Sequence, residues 1–153
     1  MTLWLFKSEP DEYSLQDLAA ETSGSGRWDG IRNYQARNFL RDQVAVGDGV
    51  LFYHSACKVP AVVGTAEVVR AAYTDPAQFD PKSKYFDPKA SPDNPRWYCV
   101  DLAWRSEFKR PVPLAEIKQD PQLAEMILVK QGRLSIQPVR QEEWDYIVEL
   151  GGQ

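Results

Sequence analysis

One histidine (His54) and two cysteines (Cys57 and Cys99) are all that the chain holds of the residue types most used for nucleophilic relay, metal and redox chemistry. His54 adjoins Ser55, but successive strand residues point to opposite faces, so the two cannot form the proton relay of a Ser-His-Asp triad. The H-x-x-C spacing of His54 and Cys57, even with Cys99 added, falls short of the four ligands of a structural zinc. Neither a metal nor any other cofactor is expected. The cysteines form no C-x-x-C, which argues against a disulfide framework or a thioredoxin-like motif, and both are expected to be buried, reduced thiols. G-x-x-x-x-G-K-[ST] and G-x-G-x-x-G are missing, and with them both glycine-rich phosphate cradles. Apolar runs stay well short of the roughly 20 residues of a membrane span. The start, MTLWLFKSEP, lacks the basic and long apolar regions of a secretory signal, so an intracellular, cytoplasmic chain with no membrane partner is expected. Glu9, Asp11 and Glu12 cluster, but flanking a helix start they are expected to favour its dipole rather than to do acid–base work.

Positive charge is also in short supply: 18 basic against 22 acidic residues give a net charge of -4. Phosphate binding rests on local potential, however, and the acidic residues crowd the two ends. Residues 1–21 hold one base (Lys7) and five acids, and residues 142–153 hold four acids and no base. The body between them therefore carries an excess of four positive charges.

The pattern along the chain predicts one α+β domain over residues 1–153. LWLFKS at 3–8 reads as a strand stopped by Pro10. Ser14, with Asp17 three residues on, reads as a capped helix start, and Asn33 as the cap of a second helix, YQARNFLRDQ. Tyr34, Ala36, Phe39 and Leu40 are its expected inner face, with Arg37 and Arg41 together on another. Trp28-Asp-Gly-Ile reads as a turn. VLFYHS and PAVVGTAEVVRAAY form a predicted hairpin, and five prolines make 74–96 a long loop. WYCVDLAWRSEF returns to strand character, PLAEIKQD and PQLAEM read as short helical pieces, and RLSIQPV as a last strand. RQEEWDYIVELGG predicts a C-terminal helix in which Trp144 packs as a buried residue with Ile147 and Leu150. Five or six strands without regular intervening helices point to a mixed sheet curled toward a barrel.

What the chain does have is stacking groups and amides, among them Trp4, Trp28, Tyr34, Tyr53, Tyr85, Trp97 and Trp104, with Asn33, Gln35 and Asn38 near basic residues. Most aromatics at alternating strand positions are core. Trp28, between a small-residue loop and the Asn33 cap, is expected to keep one indole face open to a ligand. An aromatic face plus amide hydrogen bonds is the combination that holds a single base.

Seven ordered motifs then become recognisable: WLFKSEP (4–10), WDGIRNYQARNFL (28–40), GDGVLFYHS (47–55), VVGTAEVV (62–69), FDPKSKYFDPK (79–89), PRWYCVD (95–101), and RLSIQPV with EEW (133–144). Together they closely resemble the EVE domain family over essentially the whole chain. The resemblance implies a PUA-like mixed β pseudo-barrel with peripheral helices, distantly similar to YTH and ASCH domains. It implies a base-binding pocket with Lys7, Ser8 and Glu9 on its floor, Trp28 near the first cage tryptophan of YTH domains, and Tyr53 and Ser55 from the hairpin. Asn33, Tyr34 and Arg37 fall at the rim. The second cage aromatic has no clear counterpart, with Tyr73 and Trp97 as candidates. The implied partner is nucleic acid, DNA or RNA, bearing a modified cytosine or similar base, with Arg32, Arg37, Lys130 or Arg133 on phosphate. A second reading, from another class, is an enzyme or carrier acting on a free nucleoside or related heterocycle, which the net acidity favours.

Overall fold

Strand β1 (Leu3–Ser8) sends Trp4 and Phe6 to one face and Leu3 and Leu5 to the other, and all four are buried. A strand apolar on both faces belongs inside a sheet. In the computed structural model, which describes residues 1–152, β1 lies between β3 (Gly49–His54) and β6 (Ile136–Val139). β1 and β3 run parallel, in a register that sets Lys7 beside Tyr53 and Ser8 beside His54. Parallel neighbours need a crossover, which α1 (Leu15–Ala19), β2 (Gly26–Trp28) and α2 (Tyr34–Asp42) provide. β4 (Ala61–Thr74) returns antiparallel along β3, and β5 (Tyr98–Pro113) along β4. β2 joins the outer edge of β5, so the six-stranded mixed sheet has the order β2-β5-β4-β3-β1-β6. Register breaks between Phe52 and Tyr53 and at several points of the β4–β5 pair bend the sheet into an open barrel.

The two faces of β1 and β3 anchor two cores. Trp4, Phe6, Val50 and Phe52 pack with Leu15 and Leu18 of α1 and with Ala36 and Leu40 of α2. Leu3, Leu5, Leu51 and Tyr53 pack with Ile117 of α3 (Leu114–Gln119), Leu128 of α4 (Ile127–Lys130) and Ile147 of α5 (Gln141–Leu150).

Both predicted caps form. The Ser14 hydroxyl accepts the Asp17 amide at 3.0 Å while the Asp17 carboxylate accepts the Ser14 amide at 2.9 Å, and the Asn33 side chain accepts the Ala36 amide at 3.0 Å. Other expectations need correction. Trp28 ends a short strand rather than opening a turn, because Gly26–Trp28 pairs with Val100–Leu102. Tyr34 is not on the inner face of α2: half of its surface is exposed, and it sits at the first turn, beyond the reach of the core that takes Ala36 and Leu40. The proline-rich connection is not wholly irregular, since Pro76–Phe79 forms a 3-10 turn capped by Asp75, with proline at its start. PQLAEM holds only a 3-10 turn, Pro121–Leu123, and α4 follows it without having been anticipated.

Trp144 is only partly buried. Its ring lies over the second core and over Gly49, where a Cβ would come within 3.0 Å of it. Trp144→Ala is therefore expected to cost about 2 kcal/mol, below the roughly 3–5 kcal/mol of a fully enclosed tryptophan. Denaturant unfolding measures this, and an unchanged midpoint would show that the ring contributes nothing to the packing.

Candidate nucleic-acid interface

A cavity of about 1020 Å³ opens at the C-terminal ends of the parallel pair β1 and β3, where β1 runs past its last β6 partner at Phe6. That is at the upper end of the roughly 300–1000 Å³ of small-ligand sites. β1 supplies Lys7 and Ser8, followed by Glu9, and β3 supplies Tyr53, followed by Ser55 and Ala56. Residues 27–33 form a third side, Lys84 and Tyr85 of the long connection a fourth, and Gly132, Arg133 and Ser135, just before β6, close the ring. Tyr13, Trp28, Tyr53 and Tyr85 give it aromatic surface, and Ile31, Leu114, Leu128 and Val129 give it aliphatic surface. Six basic side chains (Lys7, Arg27, Arg32, Lys84, Lys118, Arg133) face three acidic ones (Glu9, Glu12, Asp29), so the local charge is positive in a chain of net charge -4.

One buried carboxylate holds the third and fourth sides together. Asp75 accepts the Gly30 amide at 3.0 Å, the Ala77 amide at 2.8 Å and the Arg32 guanidinium at 3.0 Å, and its side chain has no exposed surface. Arg32 also donates to the Tyr85 carbonyl through Nε (3.0 Å) and Nη2 (2.8 Å). Gly30, at φ 77°, lies under Tyr85 so closely that a Cβ would stand 2.7 Å from the ring, which demands glycine on both counts. On the far side the Tyr85 hydroxyl donates to Glu12 at 3.0 Å, and Lys84 pairs with the same carboxylate.

Of the residues singled out in the sequence, Lys7, Ser8, Glu9, Trp28, Arg32, Asn33, Tyr53, Ser55 and Arg133 line this one cavity. Tyr34, Arg37 and Lys130 do not. Tyr34 stacks on Trp97 at 4.8 Å, Arg37 lies over the Tyr34 ring and donates to the Arg96 carbonyl, and Lys130 is paired with Glu125. Arg32 is inside, but its donors are taken up by Asp75 and backbone oxygens, so it builds the cavity and has little left for a phosphate. Trp28 is also different from expectation. It is 5% exposed, held by Phe6 at 5.5 Å, Phe52 at 5.1 Å and Tyr13 at 6.3 Å. It is a core residue that reaches the cavity floor, because pairing of β2 with β5 draws it under the sheet. The cage candidates Tyr73 and Trp97 lie elsewhere: the Tyr73 hydroxyl donates to Asp101, and the Trp97 indole N–H to Asp87.

Several lining residues carried no decisive signal in the sequence. Tyr13 and Glu12 look like helix-start residues, and Asp29 and Gly30 look like a plain turn. Tyr85 and Lys84 sit in a loop whose length marked it as functional or disordered without saying which.

Burial perturbs the groups at the cavity. Half-burial holds the Lys7 ammonium below the ordinary lysine value; its Nζ donates to the Gly132 carbonyl at 2.5 Å and lies 5.5 Å from the Tyr53 ring centre. Burial pushes the Tyr53 phenol up to about 12, so it remains a donor. Asp29 is raised above the usual carboxylate range by burial and by the negative charge of Asp75. Cys99 is buried and its thiol pushed up to about 12 by burial, whereas Cys57, in the β3–β4 turn, is half-buried and donates to the His54 carbonyl at 3.8 Å. At that turn Ala56 takes φ 50°, a left-handed conformation that costs a non-glycine residue roughly 1–2 kcal/mol.

Comparison with known proteins matches residues 2–150 to the profile of the EVE domain family. Human thymocyte nuclear protein 1 is 42% identical over 164 aligned positions, covering 96% of this chain and 72% of that protein. The structure of the human THYN1 protein in complex with 5-methylcytosine-containing DNA superposes with a TM-score of 0.93 at 39% identity, over 100% of this chain and 99% of that one. A hypothetical protein from Leishmania major superposes with a TM-score of 0.93 at 45% identity, over 99% and 95% of the two chains. Within the described residues, no helix is long and apolar enough to cross a membrane.

Next to the cavity, His54 accepts the Leu15 amide on Nε2 at 3.1 Å, which the doubly protonated ring cannot do, and burial holds its pKa below the ordinary value of 6.5. The unfolded chain therefore takes up the proton first as pH falls. Stability contributed by neutral His54 is full above about pH 6.5 and declines below it, until the folded-state value is passed. Denaturation at pH 7.5 and 5.5 is expected to show a loss for the wild type that is smaller in His54→Gln, whose amide oxygen can still accept from Leu15. An equal loss in both would place the sensitivity in other groups.

Proposed function

We propose that this chain, which belongs to the EVE domain family, is a non-catalytic nucleic-acid-binding protein that reads a modified base, foremost a modified cytosine, by taking it into the cavity at the ends of β1 and β3. The observation that carries the reading is a partly open cavity, aromatic, aliphatic and cationic at once, in a chain that superposes over its full length on a human protein solved with 5-methylcytosine-containing DNA. Cytosine offers an exocyclic amine donor beside two acceptors. Glu9 and Asp29 are the acceptors available for the amine; Lys7, the Tyr53 hydroxyl and Ser55 are the donors available for the ring nitrogen and carbonyl. Tyr85 supplies accessible ring surface, the buried Trp28 lies at the floor, and Asn33 stands at the entry. Arg27 and Arg133, which form no ion pair with a described carboxylate, are the phosphate contacts. Lys130 is a weaker candidate, since Glu125 already neutralises it.

A methyl substituent would lie against the aliphatic side formed by Ile31, Leu128 and Val129. One buried methylene is worth about 0.8 kcal/mol, roughly fourfold in affinity. In a close-fitting pocket the discrimination reaches about 200-fold. Because extrusion from a duplex costs a few kcal/mol, single-stranded or mismatched targets should bind better than paired ones.

The test is a titration of short oligonucleotides with and without 5-methylcytosine across a salt series. The expected result is tighter binding of the methylated strand and a log–log salt slope near -0.7 per phosphate neutralised on single strands. Salt-independent binding of free nucleosides with no preference for oligonucleotides, above all with chemical turnover, would instead establish an enzyme or carrier of free nucleosides.

A further inference from the structure

Five of the ten arginines of this chain are neutralised. Arg32, Arg41, Arg105, Arg110 and Arg140 each sit within salt-bridge distance of a carboxylate. Arg37 and Arg96 do not among the described residues. Arg37 donates only to neutral oxygens, the Asn38 side chain (3.1 and 2.8 Å) and the Arg96 carbonyl (3.0 Å), and Arg96 donates to the Tyr34 hydroxyl at 3.3 Å. Between these two guanidinium groups lies Tyr34, 50% exposed, stacked at 4.8 Å and 30° on Trp97, which is itself buried and fixed by its indole N–H on Asp87 at 2.8 Å. The Arg37 guanidinium stands 4.7 Å from the Tyr34 ring centre. A solvent-facing aromatic backed by a buried one, with two guanidinium groups that form no salt bridge beside it, has the composition of a stacking platform for single-stranded nucleic acid.

Its position gives it an occupant. Tyr34 directly follows Asn33, which lines the cavity, and Arg32 lies between cavity-lining Tyr85 (5.3 Å) and Trp97 (5.4 Å), so cavity and platform share one layered wall. Adjacent Cα atoms are only about 3.8 Å apart. A strand whose base enters the cavity past Asn33 brings its neighbouring nucleotide within reach of this surface. We propose that Tyr34, backed by Trp97 and flanked by Arg37 and Arg96, is a second binding site that stacks the nucleotide adjacent to the one in the cavity. This rests on the reading of the cavity as a base site. It assigns Tyr34 and Arg37 to the flanking nucleotide instead of to the modified base itself.

The experiment compares 5-methyl-2′-deoxycytidine with a trinucleotide carrying the same base at its centre, binding wild type, Tyr34→Ala, Tyr34→Phe and Arg37→Gln. Tyr34→Ala is expected to weaken trinucleotide binding about 5- to 150-fold, the equivalent of roughly 1–3 kcal/mol of base stacking, and to leave nucleoside binding unchanged. Tyr34→Phe should restore most of the loss. Arg37→Gln should reduce the magnitude of the trinucleotide's salt slope by about 0.7. Thermal melting checks that Tyr34→Ala, at an exposed position, remains folded. Trinucleotide binding unaffected by Tyr34→Ala, or a loss equal for trinucleotide and nucleoside, overturns the platform while the cavity reading stands. A wild type that binds neither ligand overturns the cavity reading, and the platform with it.

Discussion

Asp75 is fully buried, and its carboxylate gathers the Gly30 amide, the Ala77 amide and the Arg32 guanidinium. Removing one partner from a buried ion pair leaves a charge without compensation, which costs about 3–5 kcal/mol. The consequence here reaches further than stability. Through Asp75, the crossover segment 28–33 and the connection 75–97 become one structure. Arg32, held by Asp75, takes the Tyr85 carbonyl, and Gln78 accepts the Arg96 and Trp97 amides and donates to the Asp75 and Trp97 carbonyls. A proline-rich segment with little regular structure is thereby fixed as a wall, and Tyr85 is set over Gly30 at the mouth of the cavity.

The sheet explains why the cavity lies where it does. Among the described residues β1 and β3 are the only parallel pair, and both faces of both strands are taken by apolar cores up to Phe6 and Tyr53. Past that point the sequence turns polar, to Lys-Ser-Glu on one strand and His-Ser on the other, just where the surrounding segments must splay to pass around the strand ends. The same geometry that ends the hydrophobic core thus places donors and acceptors at the bottom of an aromatic-walled recess. The net negative charge of the chain is no obstacle, because carboxylates pair off many of the cations on the remaining surface and leave several free at or near this recess.

Local patterns carried most of the fold. The alternation in LWLFKS, the Ser14 and Asn33 caps and the β3–β4 hairpin all stand as the residues indicate, because each depends on neighbours within a few positions. Trp28 and Tyr34 went astray for the opposite reason. Their burial is decided by β2 pairing with β5 and by Trp97, more than 60 positions from either residue, and no local period encodes such a contact. The cavity was legible in part: the β1 and β3 ends and Asn33 were visible in the motifs, whereas Tyr13, Asp29, Lys84 and Tyr85 become site residues only once Asp75 and Glu12 have drawn their segments together. That Arg32 is salt-bridged to a buried carboxylate while Arg37 and Arg133 form no salt bridge with a described carboxylate likewise depends on partners distant in the chain.

The most direct test of where a modified base comes to rest is a crystal structure of this protein with a short single-stranded oligonucleotide containing one 5-methylcytosine. The expected result is that base inside the cavity, its ring against Tyr85 and its edge within hydrogen-bond distance of Lys7 and of Glu9 or Asp29. An oligonucleotide bound with its methylated base outside the cavity, and the cavity filled by solvent, would contradict it.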